Sequence, residues 1–159
     1  MPYPQLRLNL DALDNNIRVM AAWCRDRQVD LAPHVKTTMS APIITRQLAA
    51  GAVGVTVATV DQVATALGWG HQQVLIANEV VDRDGLIRLR SWLEEDPARE
   101  IRCFVDSAAG ITAAAQVFAG EAGAPLEVLL DVGPRAGARE CAASTTLSAL
   151  PNWSAPRPA

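Results

Sequence analysis

Short apolar runs rich in β-branched residues alternate with helix-patterned stretches along most of this chain, and that alternation confines it to an α/β fold. Gln5–Asn9 reads as short and extended. A helix is predicted over Asp11–Arg27, where Leu13, Ile17, Met20 and Ala21 recur at helical spacing behind Asp11 as N-cap. Val29–Val35 is the next apolar stretch. A helix over about 41–50 follows, capped by Ser40, with Pro42 in its first turn and Gly51 at its end. Val53–Thr59 reads as a buried strand, and Thr59 to Gln62 has the T-x-x-Q spacing of a capping box opening a helix to about Leu67. Gln73–Ala77 is a strand, Asp82 caps a helix over 83–95, Ile101–Val105 is a strand, Ser107 caps a helix to about Ala119, and Leu126–Val132 is the last clear strand. Short connections in this order imply parallel strands with covering helices. A doubly wound sheet and a (β/α) barrel both fit, and both bind ligands where strands end. The positions to inspect are therefore Lys36, Thr59, Asn78, Asp106 and Asp131.

Beyond Gly133 the pattern fails. Residues 134–159 are rich in Ala, Arg, Pro and Ser. They show no strand alternation and only a weak helical stretch near Cys141–Leu147, and Pro151, Pro156 and Pro158 disfavour regular structure.

Composition excludes several classes. A net charge of −3 gives no reason to expect nucleic acid or an anionic membrane as partner. No apolar stretch is long enough to span a bilayer, and the first residues lack the basic-then-apolar pattern of a signal peptide. Cys24, Cys103 and Cys141 have no C-x-x-C spacing and read as reduced thiols of a cytoplasmic protein, with Cys103 in the core. Trp23, Trp69 and Trp92 are expected to pack helices onto the sheet, and His71, after a glycine turn, to be exposed.

The segment Pro33-His34-Val35-Lys36-Thr37-Thr38 carries the sharpest chemistry. Side chains alternate along a strand, so His34 and Lys36 share a face and Val35 opposes them. Lone lysines just past strands are usually solvated. In a buried setting, however, a lysine must find a partner or lose its charge. A Schiff base with an aldehyde cofactor removes the charge, and an electron-poor ring then stabilises a carbanion at a substrate's α-carbon. His34 could contact such a cofactor or move protons.

Pro33-His34-Val35-Lys36-Thr37-Thr38-Met39, followed by Arg46-Gln47-Leu48-Ala49-Ala50-Gly51-Ala52, resembles the N-terminal barrel region of the D-threonine aldolase and D-serine dehydratase family, relatives of alanine racemase with the fold-type III pyridoxal-phosphate architecture. Leu8 to Ile17, Gly54 to Thr59 and Val74 to Val81 are similar to the same family, and the resemblance spans about residues 5 to 133. It implies a (β/α)8 barrel followed by a smaller β domain. Residues 1–133 would then be a partial TIM-type barrel of about five strands, and 134–159 an irregular tail without the β domain. It implies that Lys36 carries pyridoxal 5′-phosphate. Gly133 to Arg139 looks like a shortened form of the family's G-R-x-G-x-R loop. Arg135 would there contact the cofactor ring or the substrate carboxylate, with a solvated arginine the other reading. Asn78 would line the mouth or cap a turn. For Asp106 and Asp131 capping is the simpler reading.

The implied parent activity is that of a lyase on D-amino acids, of the D-threonine aldolase or D-serine dehydratase type. P-H-V-K-T favours this branch, since the racemases resemble K-A-N-A-Y-G at this point. An amino-acid racemase and a non-catalytic pyridoxal-phosphate-binding homologue are the alternatives. An amino acid is the expected small-molecule substrate, and a homo-oligomer the expected assembly. Metal-dependent members hold a divalent ion through histidine and cysteine ligands. No comparable pair occurs here, His34 and His71 being far apart in pattern. The chain is expected to be truncated, its tail out of frame, and inactive alone. Sequencing the locus checks this: family-like sequence in another downstream frame is expected, and a clean frame ending at Ala159 with nothing beyond it would contradict it.

Overall fold

The computed structural model describes residues 7–118, 123–132 and 140–146. Ten elements follow in order: α1 (Leu10–Arg27), α2 (Ala41–Ala49), β1 (Val55–Val57), α3 (Val60–Gly68), β2 (Gln73–Glu79), α4 (Arg83–Glu95), β3 (Glu100–Val105), α5 (Ala108–Phe118), β4 (Glu127–Val132) and β5 (Glu140–Thr146). They form one sheet in the order β1-β2-β3-β4-β5. The first three pairings are parallel, and each needs a helical crossover, which α3, α4 and α5 supply. Strand neighbours follow chain order without reversal.

Register sets the two faces. Val55 pairs with Val74, Val74 with Ile101, Ile76 with Cys103, and Cys103 with Val128. These residues are buried beneath Val63 and Ala66 of α3, Leu86, Leu89 and Leu93 of α4, and Ile111, Ala114, Val117 and Phe118 of α5, in one apolar cluster. The alternate residues Leu75, Arg102, Phe104, Glu127 and Leu129 face the other way and are half-buried, because no described helix covers them.

Caps act largely where the sequence placed them. The side chains of Thr59, Asp82 and Ser107 accept from Gln62 N–H (3.3 Å), Gly85 N–H (2.6 Å) and Gly110 N–H (3.0 Å). Ser40 is the N-cap of α2 without a side-chain capping bond, Pro42 sits in its first turn, and Gly51 exits with φ 108°.

Several expectations are corrected. The N-cap of α1 is Asn9, whose side chain accepts from Ala12 N–H, and Asp11 lies in the first turn, where its charge complements the helix dipole. Arg7–Asn9 joins no strand, while Gln5 lies outside the described residues. The apolar stretch Val29–Val35, read as leading to a strand end at Lys36, forms only a parallel bridge between His34 and Thr56, with Leu31, Pro33 and Val35 hydrogen-bonded to Val53 and Thr56. β2 continues through a bulge to Glu79, so Asn78 lies within the strand and not just past it. β5 occupies the segment expected to be irregular or weakly helical. It pairs antiparallel with β4, where the free hydrogen-bonding edge of β4 outweighs weak local preference. Trp23 is 48% exposed with the Arg27 guanidinium 4.4 Å over its ring, and Trp69 is also exposed. Only Trp92 of the three packs against the core. Among the described residues no helix is long and apolar enough to cross a membrane.

Two substitutions test this account by urea unfolding. Asp82→Ala should cost about 1 kcal/mol through the lost cap. A Cβ at Gly54 would meet Gln73 O at 2.7 Å, so Gly54→Ala should cost about 1–3 kcal/mol. Unchanged midpoints in both variants would contradict it.

Candidate active site

The site is built on the segment leading into Lys36. Val53 N–H donates to Leu31 O (2.9 Å), Thr56 N–H to Pro33 O (2.8 Å) and Val35 N–H to Thr56 O (2.8 Å). Thr56 is almost fully buried, and its hydroxyl donates to Ala32 O at 2.7 Å. Pro33 and Val35 are buried, whereas His34 and Lys36 are exposed, which is the alternation expected of an extended segment. The chain then turns sharply. Thr38 N–H and Met39 N–H both donate to Val35 O (3.2 and 2.8 Å), and Met39 takes φ 38°, a left-handed value that a non-glycine residue adopts only when its surroundings hold it.

Lys36 occupies the first position of that turn, beside the end of β1 from which α3 departs. Its carbonyl accepts from Gln62 Nε2 at 3.2 Å, and Gln62 Oε1 accepts from Ala58 N–H at 2.8 Å. Among the described residues the Lys36 ammonium has no hydrogen-bond or ion-pair partner. Lys36 is also the only lysine in the chain, the other basic residues being arginines and two histidines. A guanidinium stays charged at any pH a protein tolerates, so Lys36 is the one side chain able to act as a nucleophilic amine. Composition alone carried this signal.

The remaining candidates are not gathered around Lys36. His34 lines a cavity of about 680 Å³ between α1, Val29–Pro33 and the end of α2, which Lys36 does not line. Asn78 lines a separate cavity of about 270 Å³, together with Thr59, Asp61, Glu79, Asp82 and Arg88. Its Oδ1 accepts from Glu79 N–H (3.0 Å) within β2. Asp106 is exposed at the end of β3 and Asp131 half-buried near the end of β4. Arg135 lies outside the described residues.

Glu79, not singled out by its sequence context, braces the same end of the sheet. Its Oε1 accepts from Ser107 Oγ (2.9 Å) and Asp106 N–H (3.3 Å), and it lies so close to Gly110 that a side chain there would collide with it. Burial pushes the Cys103 thiol up to about 12, with the charge of Glu79 adding to the effect. On the partly open face, burial opposes the charge of Arg102. Its hydrogen bonds and attraction to Glu127 (2.5 Å) and Glu100 (3.0 Å) prevail and hold it above the usual value. His71, expected to be exposed, is half-buried: its Nε2 is buried without a partner in the structure, and burial lowers its pKa.

Chemically, the arrangement offers one primary amine on a fixed turn at the end of a parallel sheet where ligands gather. That is what an aldehyde cofactor requires, so the residues present fit pyridoxal phosphate at its point of attachment. Among the described residues no group of three histidine, cysteine or acidic side chains could hold a metal ion.

No protein-family model matches the chain. It is 33% identical over 129 residues to a D-threonine aldolase from Arthrobacter sp., covering 81% of this chain and 33% of that protein. It is 32% identical over 138 residues to a D-threo-3-hydroxyaspartate dehydratase from Delftia sp. (strain HT23), covering 84% of this chain and 35% of the relative. The chain thus spans about a third of the length of the curated relatives it matches. Among solved structures, D-threonine aldolase from Filomicrobium marinum superposes with a TM-score of 0.75 at 33% identity, over 86% of this chain and 37% of that one. The Delftia dehydratase superposes with a TM-score of 0.66 at 31% identity, over 77% and 31%.

The Cys103 environment gives a direct check. In the native protein at about pH 8 a thiol-specific reagent should leave Cys103 unmodified, and it should react only on unfolding. Prompt native-state labelling of the Cys103 peptide would contradict the packing around β3.

Proposed function

We propose, for a chain that is a relative of D-threonine aldolase and D-threo-3-hydroxyaspartate dehydratase over most of its own length, that it belongs to a pyridoxal-phosphate-dependent lyase acting on D-amino acids and that Lys36 is where the cofactor attaches. One observation carries the reading: the chain's single amine side chain stands, without a partner among the described residues, on a tight turn at the C-terminal end of the parallel strands, where such sheets bind ligands. The names of both relatives favour cleavage or dehydration of a D-3-hydroxy amino acid over racemisation.

The wider architecture in this reading is the first part of a (β/α)8 barrel. Strand neighbours in chain order support it, since a doubly wound sheet reverses its order at a switch point whereas a barrel does not. Residues 1–133 are assigned to the barrel in this reading, and β5 adds to its sheet as an antiparallel neighbour of β4. The half-buried face bearing Leu75, Phe104 and Leu129 would line the barrel interior. With that face only partly covered, the 159-residue chain by itself is expected to lack turnover and to associate with copies of itself. The protein is expected to be cytoplasmic. A divalent metal, where the family uses one, would rest on residues other than those described.

Bound at Lys36, the cofactor ring would supply an electron sink for the pair left on the substrate's α-carbon when a bond there breaks. The protein's own residues have simpler tasks. Lys36 Nζ would hold the cofactor in place and, as a free amine, could take the α-proton in a dehydration. The resemblance would give His34 a part in proton transfer or cofactor contact, Asn78 a place at the mouth, and Arg135, outside the described residues, either a contact with the cofactor ring or substrate carboxylate or a solvated position, although His34 and Asn78 line cavities apart from Lys36.

Borohydride reduction with peptide mapping tests the assignment. An α-amine titrates near 8 and an ordinary exposed lysine near 10.4, so at about pH 7.5 a lysine with no organised site around it would be marked by limiting pyridoxal phosphate after the α-amine. The account expects Lys36 to be marked ahead of it, and Lys36→Arg to abolish that product. Labelling of Lys36 no faster than the α-amine would overturn the assignment.

A further inference from the structure

We propose that Gln62 is a positioning residue for Lys36, fixing the direction in which the amine-bearing side chain leaves the backbone. The inference rests on the reading of Lys36 as the cofactor's point of attachment and asks what holds that residue still.

The T-x-x-Q spacing assigns Gln62 to helix capping, with its side chain returning to the N–H of Thr59. The structure uses it differently. Gln62 Oε1 accepts from Ala58 N–H (2.8 Å), one residue earlier, and this turns its amide nitrogen toward Lys36 O (3.2 Å). One side chain therefore ties the last residues of the β1 segment to the turn after Val35. The other hydrogen bonds of that turn are local: Thr38 N–H, Met39 N–H and Thr38 Oγ1 all reach Val35 O. Among the described residues, Gln62 supplies the one hydrogen bond that joins residues 36–39 to a distant part of the chain.

The geometry gives that bond its consequence. The carbonyl carbon of Lys36 is bonded to its Cα, so holding the oxygen fixes ψ and with it the peptide plane. A flexible four-carbon stem adds freedom beyond Cβ but cannot correct a misdirected start. Met39 at φ 38° closes the turn in a conformation that persists only while its surroundings enforce it. Losing the Gln62 bond would let the Lys36 peptide rotate, and the amine would sample positions away from a docked aldehyde.

Gln62→Glu isolates the relevant arm. The carboxylate can still accept from Ala58 N–H but cannot donate to Lys36 O. Gln62→Met removes both arms at similar length. The readout is the ratio of Lys36 to α-amine labelling by limiting pyridoxal phosphate with borohydride on the 159-residue chain, with the α-amine as internal reference. Both variants should lower that ratio roughly ten-fold. Thr59→Ala is the structural control. It removes the α3 N-cap while sparing both arms of Gln62, and should lower the melting temperature with the ratio intact. An unchanged ratio in Gln62→Glu, or an equal fall in Thr59→Ala, overturns the positioning role. If the unsubstituted chain shows no preference for Lys36, the cofactor assignment itself fails, an outcome distinct from either.

Discussion

Parallel pairing is the constraint from which the rest of this structure follows. Two parallel neighbours cannot be joined by a tight turn, so each successive strand is reached through a helix that returns along the sheet. Those helices bury one face, where Val74, Ile76, Ile101, Cys103 and Val128 meet α3, α4 and α5. The same rule brings the C-terminal ends of β1 to β4 to one side, and with them Lys36, Glu79, Asp106 and Asp131. Chemistry can collect there because the loops at that end are free of the packing that fixes the strands.

Much of this is legible in the sequence, for identifiable reasons. The bounds of α4 match expectation because Asp82 caps it and Leu86, Leu89 and Leu93 repeat at helical spacing. The Pro33-His34-Val35-Lys36-Thr37 motif can be read from the sequence because it is compact and local. What the sequence hides is whatever depends on partners distant in the chain. The 29–35 segment looks like a full strand, but its bonds to residues 53–56 make only an isolated bridge at His34. The β4–β5 pairing rests on a free strand edge, which local propensity cannot reveal. Trp23 looks like a core residue, yet one face of α1 has no described neighbour, and among the residues of that helix only Cys24 is buried. The bridging role of Gln62 is hidden inside an ordinary capping pattern.

The resemblance in sequence and the likeness in structure agree. Both join this chain to D-threonine aldolase and hydroxyaspartate dehydratase, over about a third of each relative. His34 and Asn78 line different cavities, neither of which Lys36 lines. The central claim is correspondingly narrow: Lys36 is the reactive amine, and the turn that carries it is already organised.

Because the chain has a single lysine, 13C-ε lysine labelling yields one side-chain signal that belongs to Lys36 without assignment work. Titration of the labelled protein with pyridoxal phosphate reads the chemistry of that one carbon. The account predicts that a second resonance grows in slow exchange at less than one equivalent of cofactor and replaces the first. A signal that stays in place, or that shifts only gradually under large excess as a solvated lysine would, contradicts it.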